Sequence, residues 1–339
     1  MKAIGIILAG GNNNRMKELT AKRAVPALPV AGSFRSIDFA LSSMSITHIQ
    51  TVAVLTQYNA RSLNEHLSSS KWWNFGRKQG GLFLFTPTVT ADNSDWYRGT
   101  ADAMYQNIDF LKRRHEPYVI ISSGDCVYKL DFNRVLDFHI EKKSDITVVC
   151  KDMMYNDDVS RFGVVRMDDE SRITEFDEKP IEALSNTIST GIYVIRRRQL
   201  IELLEAAAEE NRFDFVNDIL VRYKNVKKIY GYKINSYWNN IADIDAYFKT
   251  NMDFLRPDVR SYFFREEPTI CSKVDDLPPA KFNPGSDISN SLVSSGCIIN
   301  GSVEDSVLFK QVFVGKNTTV KNCVILNDVY IAVSYTHLT

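Results

Sequence analysis

Every residue from Ala3 to Ala9 is apolar or glycine, with isoleucine at Ile4, Ile6 and Ile7, and the run stops at Gly10-Gly11. An apolar stretch of strand length without polar alternation predicts a strand buried on both faces. Thr51–Leu55, Tyr118–Ile121 and Asp145–Cys150 repeat the pattern. Between these runs, Ile37–Ser45, Arg61–Leu67, Ala101–Lys112 and Phe132–Lys142 predict helices. Strands alternating with helices imply a parallel sheet covered on both sides. Ligands of such sheets sit beyond the carboxyl ends of the strands, so the loops after Ala9, Leu55 and Ser123 should share one cleft.

From Phe162 the texture changes. Short strands are predicted at Phe162–Met167, Arg172–Phe176 and Gly191–Ile195, with helices at Arg198–Glu209, Asp214–Tyr223 and Ala242–Phe254. This stretch reads as an extension of the first domain, giving it the span 1–264. Residues 265–285 carry Pro268, Pro278, Pro279 and Pro284 with little periodicity and read as a linker. Beyond it, Ser291-Leu292-Val293, Cys297-Ile298-Ile299, Gly301-Ser302-Val303, Ser306-Val307-Leu308 and Val312-Phe313-Val314 place small apolar groups every five to six residues. That spacing predicts a left-handed parallel β-helix over 286–333, in which each short run adds a strand to one face of a prism. An antiparallel meander is the alternative, because periodicity separates the two poorly. Residues 334–339 break the repeat and read as a truncation or a non-native tail.

Composition narrows the function classes. A chain of 339 residues buries enough surface to need no disulfide or metal staple. The 41 basic and 41 acidic residues cancel, which argues against a nucleic-acid or anionic-membrane partner. No apolar stretch reaches the roughly 20 residues of a membrane span, and the N-terminus lacks the plan of a secretory signal, so a cytoplasmic location is expected. Cys126, Cys150, Cys271, Cys297 and Cys323 form no metal-binding spacing and read as thiols in a reducing compartment.

The candidate chemistry begins where the first strand ends. In Leu8-Ala9-Gly10-Gly11-Asn12-Asn13-Asn14-Arg15-Met16, a strand feeds a glycine turn whose backbone N–H groups can approach phosphate oxygens, and Arg15 can add charge-assisted hydrogen bonds. Lys22-Arg23-Ala24-Val25-Pro26-Ala27 follows. Further along stand Leu55-Thr56-Gln57-Tyr58, Trp96-Tyr97-Arg98-Gly99-Thr100-Ala101-Asp102-Ala103, Gly124-Asp125, Phe162-Gly163-Val164, Glu178-Lys179-Pro180, Gly191-Ile192-Tyr193 and Pro278-Pro279-Ala280-Lys281-Phe282. Together these resemble the glucose-1-phosphate adenylyltransferase family, over the chain up to about residue 333.

The resemblance implies an α/β fold: a Rossmann-like, GT-A-like nucleotidyltransferase domain followed by a left-handed parallel β-helix. It implies a reaction joining glucose 1-phosphate to ATP, giving ADP-glucose and pyrophosphate, with Mg²⁺ as cofactor. Carried over residue by residue, Asp125 and Arg15 are catalytic. Gly10, Gly11, Gln57, Gly99, Thr100 and Ala101 bind nucleotide, and Tyr97, Gly163, Glu178, Lys179 and Thr190 bind the sugar phosphate. Lys22, Arg23, Arg35 and Arg113 fall at positions that bind anionic effectors in the family, although Pro29 stands where the family has His.

The departures fall at the catalytic positions. The family's Lys before Pro is Val25, and its loop Gly and hydroxyl residue are Asn13 and Asn14. Its Trp-Arg-Asp-Val-Gly-Thr motif reads Trp238-Asn239-Asn240-Ile241-Ala242-Asp243, so Asp125 is the one metal carboxylate left. Asp243 reads as the N-terminal acid of the following helix rather than a substitute ligand. These losses resemble the non-catalytic, regulatory (GlgD-type) subunits of the family. The expectation is a regulatory subunit in glycogen biosynthesis with weak or no activity, whose partner is a catalytic subunit and whose ligands are glucose 1-phosphate, ATP and anionic effectors. An active adenylyltransferase with altered ligands and a sugar-phosphate or nucleotide sensor are the other two readings.

Overall fold

The computed structural model describes residues 2–11, 14–76, 80–88, 96–154 and 157–332. Asn12 and Asn13 of the glycine loop, and the tail 334–339, lie outside the described residues. In chain order the first domain contains strands β1 (Ala3–Ala9), β2 (Pro29–Val30), β3 (Phe34–Arg35), β4 (Thr51–Thr56), β5 (Gly81–Phe85), β6 (Tyr118–Ser123), β7 (Cys126–Tyr128), β8 (Ile146–Asp152), β9 (Gly163–Met167), β10 (Ile173–Glu178), β11 (Thr187–Arg196), β12 (Ile229–Lys233) and β13 (Trp238–Asn240). Its helices are α1 (Ser36–Ile46), α2 (Arg61–His66), α3 (Thr100–Tyr105), α4 (Ile108–Lys112), α5 (Phe132–Glu141), α6 (Arg197–Glu209), α7 (Ile244–Asp253) and α8 (Pro257–Phe264).

β1 lies at the centre of the main sheet, parallel to β4 on one side and β6 on the other. Its side chains alternate between two cores. Ile4 and Ile6 join Met104, Leu111, Leu200 and Leu204 on the α3, α4 and α6 side. Ile7 and Ala9 join Leu41, Met44 and Leu136 on the α1 and α5 side. Apolar residues on both strand faces are thus required by helices on both sides.

The sheet is mixed rather than parallel throughout. β11 inserts antiparallel between β6 and β8, and β12 extends the sheet parallel to β8. The β9–β10 hairpin attaches beside it, where Ile188 of β11 meets Val164. Nothing in an apolar run states its direction, so this insertion was not legible from the pattern. The predicted helix 101–112 is broken at Gln106 and Asn107 into α3 and α4, and the helix after Asp214 contains a π segment, Val216–Val221.

The C-terminal part is a left-handed parallel β-helix. Lys281–Phe282, Ile298–Ile299, Phe313–Val314 and Tyr330–Ile331 stack as one face. Asp287–Ser289, Ser302–Glu304 and Thr319–Lys321 form the second, and Leu292–Val293, Val307–Leu308 and Val324–Ile325 the third. Ile299, Val303, Leu308 and Val314 fill the interior. Because the first strand starts at Lys281, the prism begins inside the stretch read as linker. What remains of that stretch is docked: Cys271 receives a hydrogen bond from Trp73 Nε1 (3.1 Å) and exchanges two with Ser42 Oγ (2.9 and 3.1 Å). Leu292, Val307, Phe309, Val324 and Leu326 of the prism pack against Met252 and Leu255, which fixes the prism on the C-terminal end of α7.

Candidate functional site

A cleft of about 500 Å³ opens at the carboxyl ends of β1, β4 and β6, lined by Ala9, Gly10, Gly11, Leu55, Ser123 and Asp125, with Val25, Pro26 and the Tyr97–Thr100 turn. The three loops predicted to meet do so, because three parallel strands end at one level.

The nucleotide side is built around the Tyr97–Thr100 turn. Gln57 clamps it: Oε1 accepts from Tyr97 N (2.6 Å), and Nε2 donates to Tyr97 O (3.3 Å). A Cβ on Gly99 would stand 2.3 Å from the carbonyl oxygen of Phe213, so only glycine fits there. The same carbonyl accepts from Ala101 N (2.8 Å). Thr100 Oγ1 accepts from Phe215 N (2.8 Å). Arg98 bonds Asp102 and lies over the Phe213 ring, 3.9 Å from its centroid. Of the predicted nucleotide residues, Gly10, Gly11, Gln57, Gly99 and Thr100 line the cleft. Ala101 does not; its side chain is buried in the core beneath the turn.

The corner that the resemblance makes catalytic is set by the pairing of β13 with β7, which places Asn240 opposite Cys126 and beside Asp125. Asp125 Oδ1 accepts a 2.5 Å hydrogen bond from Ser123 Oγ. The Asn240 amide is committed, with Oδ1 accepting from Ala242 N (2.9 Å) and Nδ2 donating to Cys126 Sγ (3.4 Å). Burial, with Asp125 adding to it, raises the Cys126 pKa well above the ordinary thiol value, so the thiol stays neutral and is no nucleophile. Val25 is 4% exposed, packed among Met16, Phe39, Val127 and Ile241, and gives the cleft a dry apolar wall.

A hard divalent ion favours several anionic oxygens. Here one carboxylate stands beside a neutral amide whose oxygen already accepts one hydrogen bond, and among the described residues no group of three His, Cys, Asp or Glu side chains could hold a metal. The residues present do not fit the two-carboxylate Mg²⁺ site that the resemblance implies. Asp243 is spent elsewhere: Oδ1 caps α7 through Ala246 N (2.7 Å), and Oδ2 pairs with Arg161. Arg15 is exposed on the 3₁₀ turn Asn14–Thr20, outside the cleft lining, with its charge reaching Asp158 and Arg161.

Of the residues expected to bind the sugar phosphate, Tyr97 lines the cleft, whereas Gly163, Glu178 and Lys179 lie outside its lining, on β9 and at the end of β10. Gly163 pairs with Glu178, and a Cβ on it would come within 2.9 Å of the Glu178 carboxylate. Lys179 Nζ stands 3.1 Å from Glu178 Oε1 and is exposed. Tyr97 receives a hydrogen bond from Asn107 (3.0 Å) at its hydroxyl, and burial raises its pKa. Thr190 differs from expectation: its hydroxyl is buried and donates to the Val149 carbonyl (2.8 Å), so its side chain is a sheet tie rather than an open ligand group.

The four cations grouped as an effector set are separated. Arg23 and Arg35 line a hollow of about 150 Å³ between the first domain and the prism, together with Lys273 and Lys310. Arg35 is held by the Ser62 carbonyl (2.8 Å), and burial lowers its pKa against the opposing pull of Asp38. Lys22, next to Arg23 in the chain, is exposed and is not part of this hollow's lining. Arg113 lies at the other end of the sheet, in a hollow with Lys2, Thr51 and Glu116 at the amino ends of the strands, and pairs with Asp109. A single chain therefore does not bring Arg113 to Arg23 and Arg35.

Sequence reading missed the exposed stack of Tyr58 on Trp96 at the cleft rim, with centroids 5.5 Å apart. It also missed Arg161. Both adjoin the family-like motifs, but their pairing is tertiary.

Strand order, glycine turn and cleft define the class, a nucleotidyltransferase-type α/β domain carrying a hexapeptide prism. The chain matches the family model for nucleotidyl transferase over residues 4–256 and the model for a GlmU-like C-terminal hexapeptide over 278–336. The glucose-1-phosphate adenylyltransferase of Clostridium novyi (strain NT) is 38% identical over 320 residues, covering 94% of this chain and 84% of that protein. The enzyme of the same name from Pseudothermotoga lettingae is also 38% identical, over 94% of this chain and 76% of its own. That of Geobacillus stearothermophilus is 36% identical over 94% and 83%. The chain belongs to the glucose-1-phosphate adenylyltransferase family. Among the described residues no helix is long and apolar enough to cross a membrane.

Proposed function

We propose that this chain is the regulatory subunit of a cytoplasmic glucose-1-phosphate adenylyltransferase of glycogen biosynthesis, with little turnover of its own. The relatives' name supports the reaction, transfer of an adenylyl group from ATP to glucose 1-phosphate with release of pyrophosphate. In-line attack on an α-phosphorus needs a positioned nucleophile and neutralised phosphoryl charge. This chain keeps the positioning elements: the glycine turn, the clamped Tyr97–Thr100 turn and the Gly163–Glu178–Lys179 side.

The observation that carries the reading is the catalytic corner. Val25 puts a buried methyl pair, and Asn240 a neutral amide already hydrogen-bonded on both sides, where the resemblance calls for a cation and a carboxylate. Losing one such stabiliser typically slows the reaction about 10²–10³-fold. Two losses leave binding without efficient transfer, which suits a subunit that acts by modulating a catalytic partner. The cationic hollow at Arg23 and Arg35 suits an anionic effector in that role.

The test is ADP-glucose synthesis by this chain alone, by a catalytic subunit alone, and by the two mixed. The expected result is background activity alone and altered kinetics of the partner on mixing. Substantial turnover by the purified chain refutes the reading. Unchanged partner kinetics would favour the sensor reading, whose support is the preserved cleft.

A further inference from the structure

Arg161 sits on the loop that leads into β9, at the edge of the sugar-phosphate side. Its guanidinium lies 5.1 Å from the centroid of the Phe162 ring, and the Phe162 carbonyl accepts from Lys179 N (3.0 Å). Arg161 and Lys179 therefore flank the same short piece of backbone that carries Gly163 and Glu178. From the other direction the charge of Arg15 reaches Arg161. Arg15 on the 3₁₀ turn after the glycine loop and Arg161 on the loop before β9 thus act on each other at this edge, and Lys179 at the end of β10 is tied to it through its backbone.

Lys179 and Arg161 are each held by an acid of the chain itself. Lys179 rests on Glu178, and Arg161 rests on Oδ2 of Asp243. The Arg161 pairing is incomplete. Its Nε is buried without a hydrogen-bond partner, although a guanidinium offers five donors in a planar fork. A single carboxylate oxygen uses part of that fork. A phosphate monoester presents three oxygens and up to two charges, and can take the fork bidentately. Among the described residues the corner offers one carboxylate and a neutral amide, so side-chain cations such as Arg161 are suited to neutralise a phosphate held here.

We propose that Arg161, which lies outside the cleft lining, is a phosphate-binding residue for a sugar phosphate held at the edge formed by β9 and β10, and that Asp243 holds it in reserve, so that ligand binding exchanges the Asp243 carboxylate for the phosphate. The inference rests on the proposed function only in taking the cleft as a retained sugar-phosphate site. Asp243 has two jobs on two oxygens, which makes them separable. Asn at this position keeps the N-cap, because Asn and Asp serve about equally there, while removing the charge that holds Arg161.

The experiment is calorimetric titration of glucose 1-phosphate into the full chain in EDTA, for the unchanged protein, Arg161→Gln, Arg161→Lys and Asp243→Asn, with melting temperature recorded for each. Arg161→Gln should weaken binding about 10- to 100-fold, the range of one charge-assisted pair. Arg161→Lys should fall in between, and Asp243→Asn should tighten binding severalfold. Inorganic phosphate should compete in the unchanged protein and do so less well in Arg161→Gln. A merely structural ion pair would weaken binding when either partner is replaced, so weaker or unchanged affinity in Asp243→Asn overturns the proposal. Unchanged affinity in Arg161→Gln, or no uptake of glucose 1-phosphate by the unchanged protein, overturns it as well. None of these results bears on whether mixing alters the partner's kinetics, so the regulatory reading stands or falls separately.

Discussion

Asn240→Asp adds a carboxylate at the one place where the fold would seat a second metal ligand. The new side chain keeps the acceptor that Ala242 N uses and loses the Nδ2 donor to Cys126 Sγ. Losing that weak bond costs about 0.5 kcal/mol. Repulsion from Asp125 costs more, because Asp125 neighbours Cys126, the residue paired with Asn240 across the strands. Two unit charges about 6 Å apart at an effective dielectric of about 20–40 repel by roughly 1.4–2.8 kcal/mol. For 339 residues, an unfolding entropy of about 2.1 cal/mol/K per residue makes 1 kcal/mol worth about 1.4 °C. The variant should therefore melt about 3–5 °C below the unchanged chain in EDTA. Mg²⁺ at about 100 times its dissociation constant should return about 2.7 kcal/mol, or about 4 °C, by linkage. The unchanged chain should show a much smaller Mg²⁺ response. Scanning fluorimetry of both proteins in EDTA and in Mg²⁺ reads all four values. An equal depression in the two buffers, or none in EDTA, would refute the claim that Asp125 and residue 240 face one another as a latent ion site.

Three other outcomes follow from the geometry. Combining Val25→Lys with Asn240→Asp should raise ADP-glucose synthesis above either single change, because each restores a different charge to the corner; a coupled pyrophosphate assay measures it, and no gain over the singles would show that the corner is not what limits turnover. Gly99→Ala drives a methyl to 2.3 Å from the Phe213 carbonyl oxygen and should cost roughly 2–4 kcal/mol in urea unfolding, whereas Gly11→Ala, whose Cβ meets nothing within 4 Å, should stay within about 0.5 kcal/mol. Burial lowers the His139 pKa to about 4, with Arg196 adding to the effect, so the folded protein keeps this ring neutral. Its contribution is intact above the unfolded value of about 6.5 and is lost as the pH falls from about 6.5 to about 4, by up to roughly 3 kcal/mol. Replacing His139 by Gln should flatten that part of the stability profile, as read by urea midpoints at pH 4.5 and 7.5.

Much of the scaffold was legible because its signals are local. Ala3–Ala9 is a strand of a two-sided sheet, since no other element buries an apolar run of that length so simply. Repeated small apolar groups marked the prism, since each coil must present an inward residue at each corner. The cleft followed from strand ends lying at one level. Asp243 was read as a helix acid from position alone, and it caps α7. By contrast, Thr190 and Ala101 sit in motifs that suggest ligand contact, yet Thr190 bonds the Val149 carbonyl and Ala101 is buried. A motif states that a residue type is wanted at a place, and not whether its side chain faces the ligand or supports the wall behind it.

The chain's linear order determines its strands, its helices, the repeat of its prism and the presence of Val25 and Asn240 where the resemblance calls for a lysine and a carboxylate. These depend on periods of a few residues and on residue identity, both of which survive without a third dimension. The tertiary structure decided the direction of β11, the separation of Arg113 from Arg23 and Arg35, the double commitment of the Asn240 amide and the pairing of Arg161 with Asp243. Most of these depend on residues far apart in the chain and on which faces pack once the sheet has formed. Hydrogen-bond and charge partners are chosen in space, so the chemistry of this cleft became specific only when the loops were brought together.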